Sequence, residues 1–185
     1  RLGAPVVLRT PAGTDAVPFA ALVHLASPRS GGPFIVVDGR SGPDHDLTTW
    51  QDADRSPLAL ADGGTLCLLD VAALPAEVQE HISRTLSRHN DAMTRGSITP
   101  ASLVASVRDP VASLAAQGRL DETLARFLGS AEVVLPGLAE RAEDLRSLAL
   151  AALARAGLEK NGRPMGLDTS ALRLLSEHEW PGNDH

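Results

Sequence analysis

Continuous apolar runs alternate with helical patterns through the first part of the chain. Pro5-Val6-Val7-Leu8 and Pro33-Phe34-Ile35-Val36-Val37 flank residues 15–26, where Phe19, Leu22 and Val23 recur at helical spacing. Strand, helix, strand in that order predicts a βαβ unit. The runs are continuous rather than alternating, so their strands are expected to be covered on both faces, as in a parallel sheet. Residues 66–69 supply a third strand, and 75–87 read as a helix opened by Pro75 with Val78, Ile82 and Leu86 on one face. Short strands are expected at 102–106 and 131–135, separated by helical patterns around 111–117 and 120–128. The pattern changes after Pro136-Gly137. Residues 138–156 and 169–175 read as helices with no strand between them, so an α/β core over 1–136 should be followed by a small helical part over 137–185. The Ala/Leu stripe at 147–154 is expected to pack inside that helical part. Residues 38–62 are rich in Gly, Asp and Pro and read as a loop anchored by Trp50.

Composition narrows the function classes. At 185 residues the chain can bury a core unaided. Three Phe, two Trp and no Tyr leave little for base stacking, and a net charge of -6 with scattered basic residues gives no reason to approach phosphate backbones. Direct nucleic-acid binding and membrane association by this segment are therefore not expected. Cys67 is the lone cysteine and lies in an apolar run, so it should behave as a small buried hydrophobe in a cytoplasmic protein. Asp44-His45-Asp46 could suggest a metal site, but three adjacent residues cannot readily converge on one ion. His24, His81 and His89 stand isolated from other ligand types.

Six segments in order, 24–34, 63–75, 78–79, 116–120, 135–145 and 180–183, among them His24-Leu25-Ala26-Ser27-Pro28-Arg29 and Gly63-Gly64-Thr65-Leu66, resemble the AAA+ domain of sigma-54-dependent transcription activators, the bacterial enhancer-binding proteins. His24-Leu25-Ala26-Ser27-Pro28-Arg29 before Pro33-Phe34 is similar to the family's HxxSxRxxxPF. Gly63-Gly64-Thr65-Leu66-Cys67-Leu68-Leu69-Asp70-Val71-Ala72-Ala73-Leu74-Pro75 is similar to GGTLFLDEIGELP, and Val78-Gln79 fits its continuation. Ala116-Gln117-Gly118-Arg119-Leu120 resembles the arginine-finger region, 135–145 resembles LPPLRERxEDI, and Trp180-Pro181-Gly182-Asn183 resembles WPGN. The resemblance implies a P-loop-type parallel sheet sandwiched by helices, followed by an all-helical lid.

The same resemblance locates the departures. The family's phosphate loop, GxxxxGK[ST], holds the β and γ phosphates through backbone N–H groups and a lysine. It falls here on Thr10-Pro11-Ala12-Gly13-Thr14-Asp15-Ala16-Val17, with Asp15 at the second glycine, Ala16 at the lysine and no metal-holding hydroxyl. Leu69 takes the position of the metal-site Asp and Asp70 that of the water-orienting Glu; neighbours on a strand point to opposite faces, so Asp70 cannot serve for both. Around Leu103-Val104-Ala105-Ser106-Val107-Arg108-Asp109 one residue is missing and no sensor Asn is present. The arginine fingers fall on Asp121 and Phe127, with Arg126 one step away, and the sensor arginine meets Asp184-His185. The interval between Val37 and Gly63 is about a dozen residues shorter than the family's and carries no GAFTGA loop.

These departures imply a catalytically inactive, pseudo-ATPase domain with degenerate phosphate-loop and acid motifs: no enzyme, no catalytic, cofactor-binding or metal residues, and no cofactor. Its expected role is a protein-interaction or assembly module, pairing with itself or a protein partner and making no sigma-54 contact. The alternative is a weak ATP/ADP-binding regulatory domain without significant hydrolysis. The segment is expected to belong to a longer bacterial regulator.

Overall fold

The computed structural model describes residues 4–40, 42, 45–94, 101–129 and 131–180. Asp44 of the Asp-His-Asp run, and residues 181–185 with most of the WPGN resemblance, lie outside them. The chain divides into two compact units, 1–10 with 15–134 and 11–14 with 135–185.

Among the described residues the larger unit is built on five strands, β1 (Val6–Arg9), β2 (Phe34–Asp38), β3 (Thr65–Leu69), β4 (Ser102–Val107) and β5 (Glu132–Val134). They lie in the order β2-β3-β4-β1-β5, and every described pairing is parallel. Parallel neighbours need crossovers, and right-handed crossovers fix which face each helix covers. The β1 to β2 connection through α1 (Val17–Leu25) runs toward one edge. Connections from β2 onward run toward the other edge, through α2 (Leu47–Gln51), α3 (Pro57–Leu60), α4 (Ala76–Thr94), α5 (Val111–Ala116) and α6 (Glu122–Leu128). α1 therefore covers one face, touching β2 and β3, while α4 packs with α2 and α6 on the other.

Burial on both faces is why the apolar runs are continuous. Leu66, Cys67 and Leu68 are successive and all buried, as are Val104 and Ala105. Helix α4 adds Val78, Ile82 and Leu86 to that core, the face read from the sequence. Residues 38–62 correct the expectation of a loop, because they hold two short helices. Asp46 caps α2 by accepting from Thr48 N–H, Ser56 caps α3 by accepting from Ala59 N–H, and Trp50 is buried at 2% exposure. Short capped helices leave too few apolar positions for a period to show in sequence.

Two polar side chains tie elements together. His24 on α1 is buried, its Nδ1 lying 2.9 Å from Thr65 Oγ1 on β3. Gln79, 3% exposed, donates from Nε2 to the Leu74 carbonyl at 2.8 Å and the Arg119 carbonyl at 3.2 Å, and its Oε1 accepts from Asp121 N–H at 2.8 Å. It thereby clamps the start of α4 to the turn between α5 and α6.

The smaller unit contains α7 (Ala142–Asn161) and α8 (Thr169–Glu177), which pack on each other. Asp168 caps α8, and Trp180 donates its indole N–H to the Leu175 carbonyl at 2.8 Å. Leu145 is buried, but Leu148 and Leu150 are 42% and 36% exposed, which corrects the expectation that the Ala/Leu stripe fills a core. Packing with α8 covers only part of α7, so the apolar stretch 148–154 stays open over much of its circumference.

Candidate functional site

In parallel α/β sheets, side chains at the carboxyl ends of the strands converge where adjacent connections leave for opposite faces. Here that point lies between β1 and β4, whose exits are joined by Thr10 N–H donating to the Val107 carbonyl at 2.9 Å. The exits of β2, β3 and β4 gather four charged residues beside it.

Asp70 follows β3 directly. Its backbone is left-handed, with φ 48° and ψ 51°, a conformation that costs a non-glycine residue about 1–2 kcal/mol and that Asp tolerates better than most. Ser106 Oγ on β4 accepts the Asp70 N–H at 2.8 Å and helps hold it there. Arg108 then directs Nε and Nη2 onto Asp70 Oδ2 at 3.1 and 2.9 Å. Arg40 Nε lies 3.8 Å from the same oxygen.

Arg40 is itself held by Asp38. Its Nε and Nη2 donate to the two Asp38 oxygens at 3.0 and 2.9 Å, and its N–H donates to Oδ1 at 2.9 Å. That guanidinium holds the Asp38 carboxyl below its ordinary value, while the Asp38 carboxylate, with weaker contributions from Asp70 and Asp15, raises Arg40. Gly39 makes the arrangement possible. Its N–H donates to the Leu69 carbonyl at 2.8 Å, and a Cβ there would lie 2.5 Å from the Asp70 carbonyl oxygen. On the outer side Arg119 pairs with Asp109 at 2.9 Å.

At the entry to α1, Ala16 is buried at 4% exposure and Asp15 turns back to accept the Val17 N–H at 2.9 Å. Gly13 has φ 81°, so the glycine that survives from the phosphate-loop resemblance sits where a side chain would be strained. Cys67 lies inside the sheet. Burial, with a smaller contribution from Asp15, pushes its thiol up to about 12.

The family resemblance implies Mg²⁺, and the residues at the end of β3 do not fit it. Leu69 presents hydrocarbon at the metal-site position, and Asp70 Oδ2 is already engaged by Arg108 with Arg40 close by, two cations where a third would have to sit. Among the described residues no group of three or more His, Cys, Asp or Glu could hold a metal ion. The sequence reading singled out Leu69 and Asp70, which the fold places at this edge, but missed Asp38, Arg40 and Arg108. Their signal was positional, since each lies at or just beyond the carboxyl end of an expected strand.

No protein-family profile matches the chain. Curated relatives include the Nif-specific regulatory protein of Azotobacter vinelandii, 28% identical over 92% of this chain and 35% of that protein. NtrX of Azorhizobium caulinodans is 28% identical over 96% of this chain and 42% of its own length. The chain thus spans less than half of either relative. Among solved structures, NtrX of Brucella abortus in complex with ATP matches with a TM-score of 0.72 and 27% identity, over 96% of this chain and 44% of that one. The P-loop NTPase domain of an E. coli sigma-54 activator matches with a TM-score of 0.53 and 25% identity, over 72% and 84%. The expected α/β class, a parallel sheet between helices, is shown by these neighbours.

One expectation is corrected by them. The missing lysine and arginine fingers led to the reading that the chain is not an enzyme, whereas its structural neighbours are an NtrX complexed with ATP and an NTPase domain, which point to an ATPase. Among the described residues no helix is long and apolar enough to cross a membrane.

Proposed function

This chain is homologous over nearly its whole length to the AAA+ domain of sigma-54-dependent transcription activators, and from that premise we propose that it is the adenine-nucleotide-binding domain of a transcriptional regulator. Bound nucleotide favours its association with itself or with a protein partner. The observation that carries the reading is the match to NtrX complexed with ATP over 96% of this chain. Division into a core over 1–136 and a lid over 137–185 belongs to the same proposal, as does a place in the bacterial cytoplasm.

Hydrolysis in this reading is slow. Ala16 offers no ammonium to a phosphate and Asp121 no guanidinium to a neighbour's site. An arginine finger alone is worth about 10³–10⁵ in rate at comparable sites. The contact with sigma-54 is absent from the proposal, because residues 38–62 carry no GAFTGA sequence and form two short helices instead. Binding and assembly are then the output, and the net charge of -6 argues against this segment touching DNA itself.

The test combines calorimetric titration with ATP and ADP, sedimentation velocity with and without nucleotide, and phosphate release. At 100 times its Kd a bound nucleotide should add about 2.7 kcal/mol of stability. Absence of binding at millimolar nucleotide, or a sedimentation profile that nucleotide leaves unchanged, would refute the reading. Turnover at the rate of an intact activator would refute its hydrolytic part.

A further inference from the structure

The disagreement between the end of β3 and a magnesium cage has a consequence for what this edge binds. We infer that Arg40 and Arg108 take the place of the metal, so that the edge receives the phosphates of a nucleotide in metal-free form. The inference rests on the nucleotide-binding reading above.

Three observations carry it. Asp70 Oδ2 accepts from both Nε and Nη2 of Arg108 and has Arg40 3.8 Å away, so positive charge is already delivered to the position beside Leu69. Both guanidiniums remain reachable, with side chains 47% exposed, while the Asp70 side chain between them is 19% exposed. Each Arg is also held in place, Arg40 by the paired Asp38 oxygens and Arg108 by Asp70. A guanidinium presents several N–H donors in a rigid fork that matches the geometry of phosphate oxygens, and it stays charged at every working pH.

The local anions set the strength. Asp15, Asp38 and Asp70 all lie within electrostatic reach of Arg40 and compete with phosphate for it. A triphosphate must share the guanidiniums with these carboxylates or displace them. Affinity is therefore modest, and it depends on the carboxylates with a sign opposite to that of a metal site. Where Asp70 anchors a cation, removing its charge weakens nucleotide binding. Where Asp70 competes for Arg40 and Arg108, removing its charge strengthens binding.

The experiment is titration of the purified protein with ATP in excess MgCl₂ and again in excess EDTA, for the parent and for Asp70→Asn, Arg40→Ala and Arg108→Ala. Asn tolerates the left-handed backbone as Asp does, and the Ser106 bond is made by the Asp70 backbone N–H, so Asp70→Asn keeps the local structure. Thermal midpoints of all variants establish that each is folded. The expected result is an ATP affinity tighter in EDTA than in excess magnesium, which ties up the metal-free nucleotide, and tightened about fivefold by Asp70→Asn in EDTA, the upper range for an exposed ion pair. Each arginine variant should weaken it by about tenfold. Affinity in EDTA no higher than in magnesium, weakening by Asp70→Asn, or indifference to both arginines overturns the inference while leaving nucleotide binding in place. No ATP binding in either medium overturns the functional reading itself, and this inference with it.

Discussion

Gln79→Leu removes the clamp between α4 and the α5–α6 turn while nearly preserving volume. Three backbone groups lose their partner: the Leu74 carbonyl, the Arg119 carbonyl and the Asp121 N–H. The bond to Leu74 is fully buried, whereas the other two are partly reached by water. A buried group left unsatisfied costs about 1–3 kcal/mol and a partly hydrated one less, giving about 2–4 kcal/mol in total. The added apolar surface of leucine offsets about 1 kcal/mol of this. The net loss of about 1–3 kcal/mol corresponds to a fall in Tm of about 2–12 °C for a chain of this size. Urea unfolding followed by Trp50 fluorescence in a Trp180→Phe background reads the larger unit specifically. A variant within about 0.5 kcal/mol of the parent would show that the turn carrying Arg119 and Asp121 does not depend on Gln79, and the clamp argument would be wrong.

Other outcomes follow from the same geometry. Cys67, with its thiol pushed up to about 12, should resist alkylation at pH 8 in the native state and react at once in urea; rapid native labelling would contradict its burial. Gly39→Ala should lower stability measured by thermal melting, by about 1–3 kcal/mol, because the new Cβ meets the Asp70 carbonyl 2.5 Å away; an unchanged melt would show that the β2 exit moves freely. The Asp38 carboxyl has its value lowered on folding, so its pair with Arg40 stabilises above the unfolded carboxyl value of about 3.9 and is lost as pH falls through the lower folded value. Asp38→Asn should therefore be less stable than the parent by up to about 1 kcal/mol near neutral pH and indistinguishable in strong acid; a deficit that persists in acid would assign the effect to something other than charge.

The strands were the most legible part of the sequence, because a sheet covered on both faces writes itself as unbroken apolar runs such as Val6-Val7-Leu8 and Leu66-Cys67-Leu68. Helix α4 was legible through Val78, Ile82 and Leu86, although it continues to Thr94, beyond the expected end, where the apolar stripe has already ceased. Helices α2 and α3 were not legible, being capped segments of 5 and 4 residues within a polar stretch. At the candidate site, Leu69 and Asp70 could be found because a motif fixes their register. Asp38, Arg40 and Arg108 could be placed only at or just beyond the ends of expected strands, since nothing in their spacing along the chain reveals that three strand exits bring them together. The family's acid and lysine positions described what was missing, and only the fold displayed what had taken up the space.

The left-handed backbone at Asp70 narrows which amino acids that codon can drift to. Glycine, asparagine and aspartate accept such a conformation, while side chains with more bulk near the backbone are penalised. Even Asp70→Glu, the most conservative change on paper, adds a methylene to a residue whose torsions leave little latitude and whose carboxylate must still reach Arg108. Glycine would relax the torsion but discard the charge, and asparagine would keep the shape without the ion pair. Of the twenty amino acids aspartate alone satisfies both demands, and a saturation library scored for folding should favour aspartate, asparagine and glycine there over bulkier side chains.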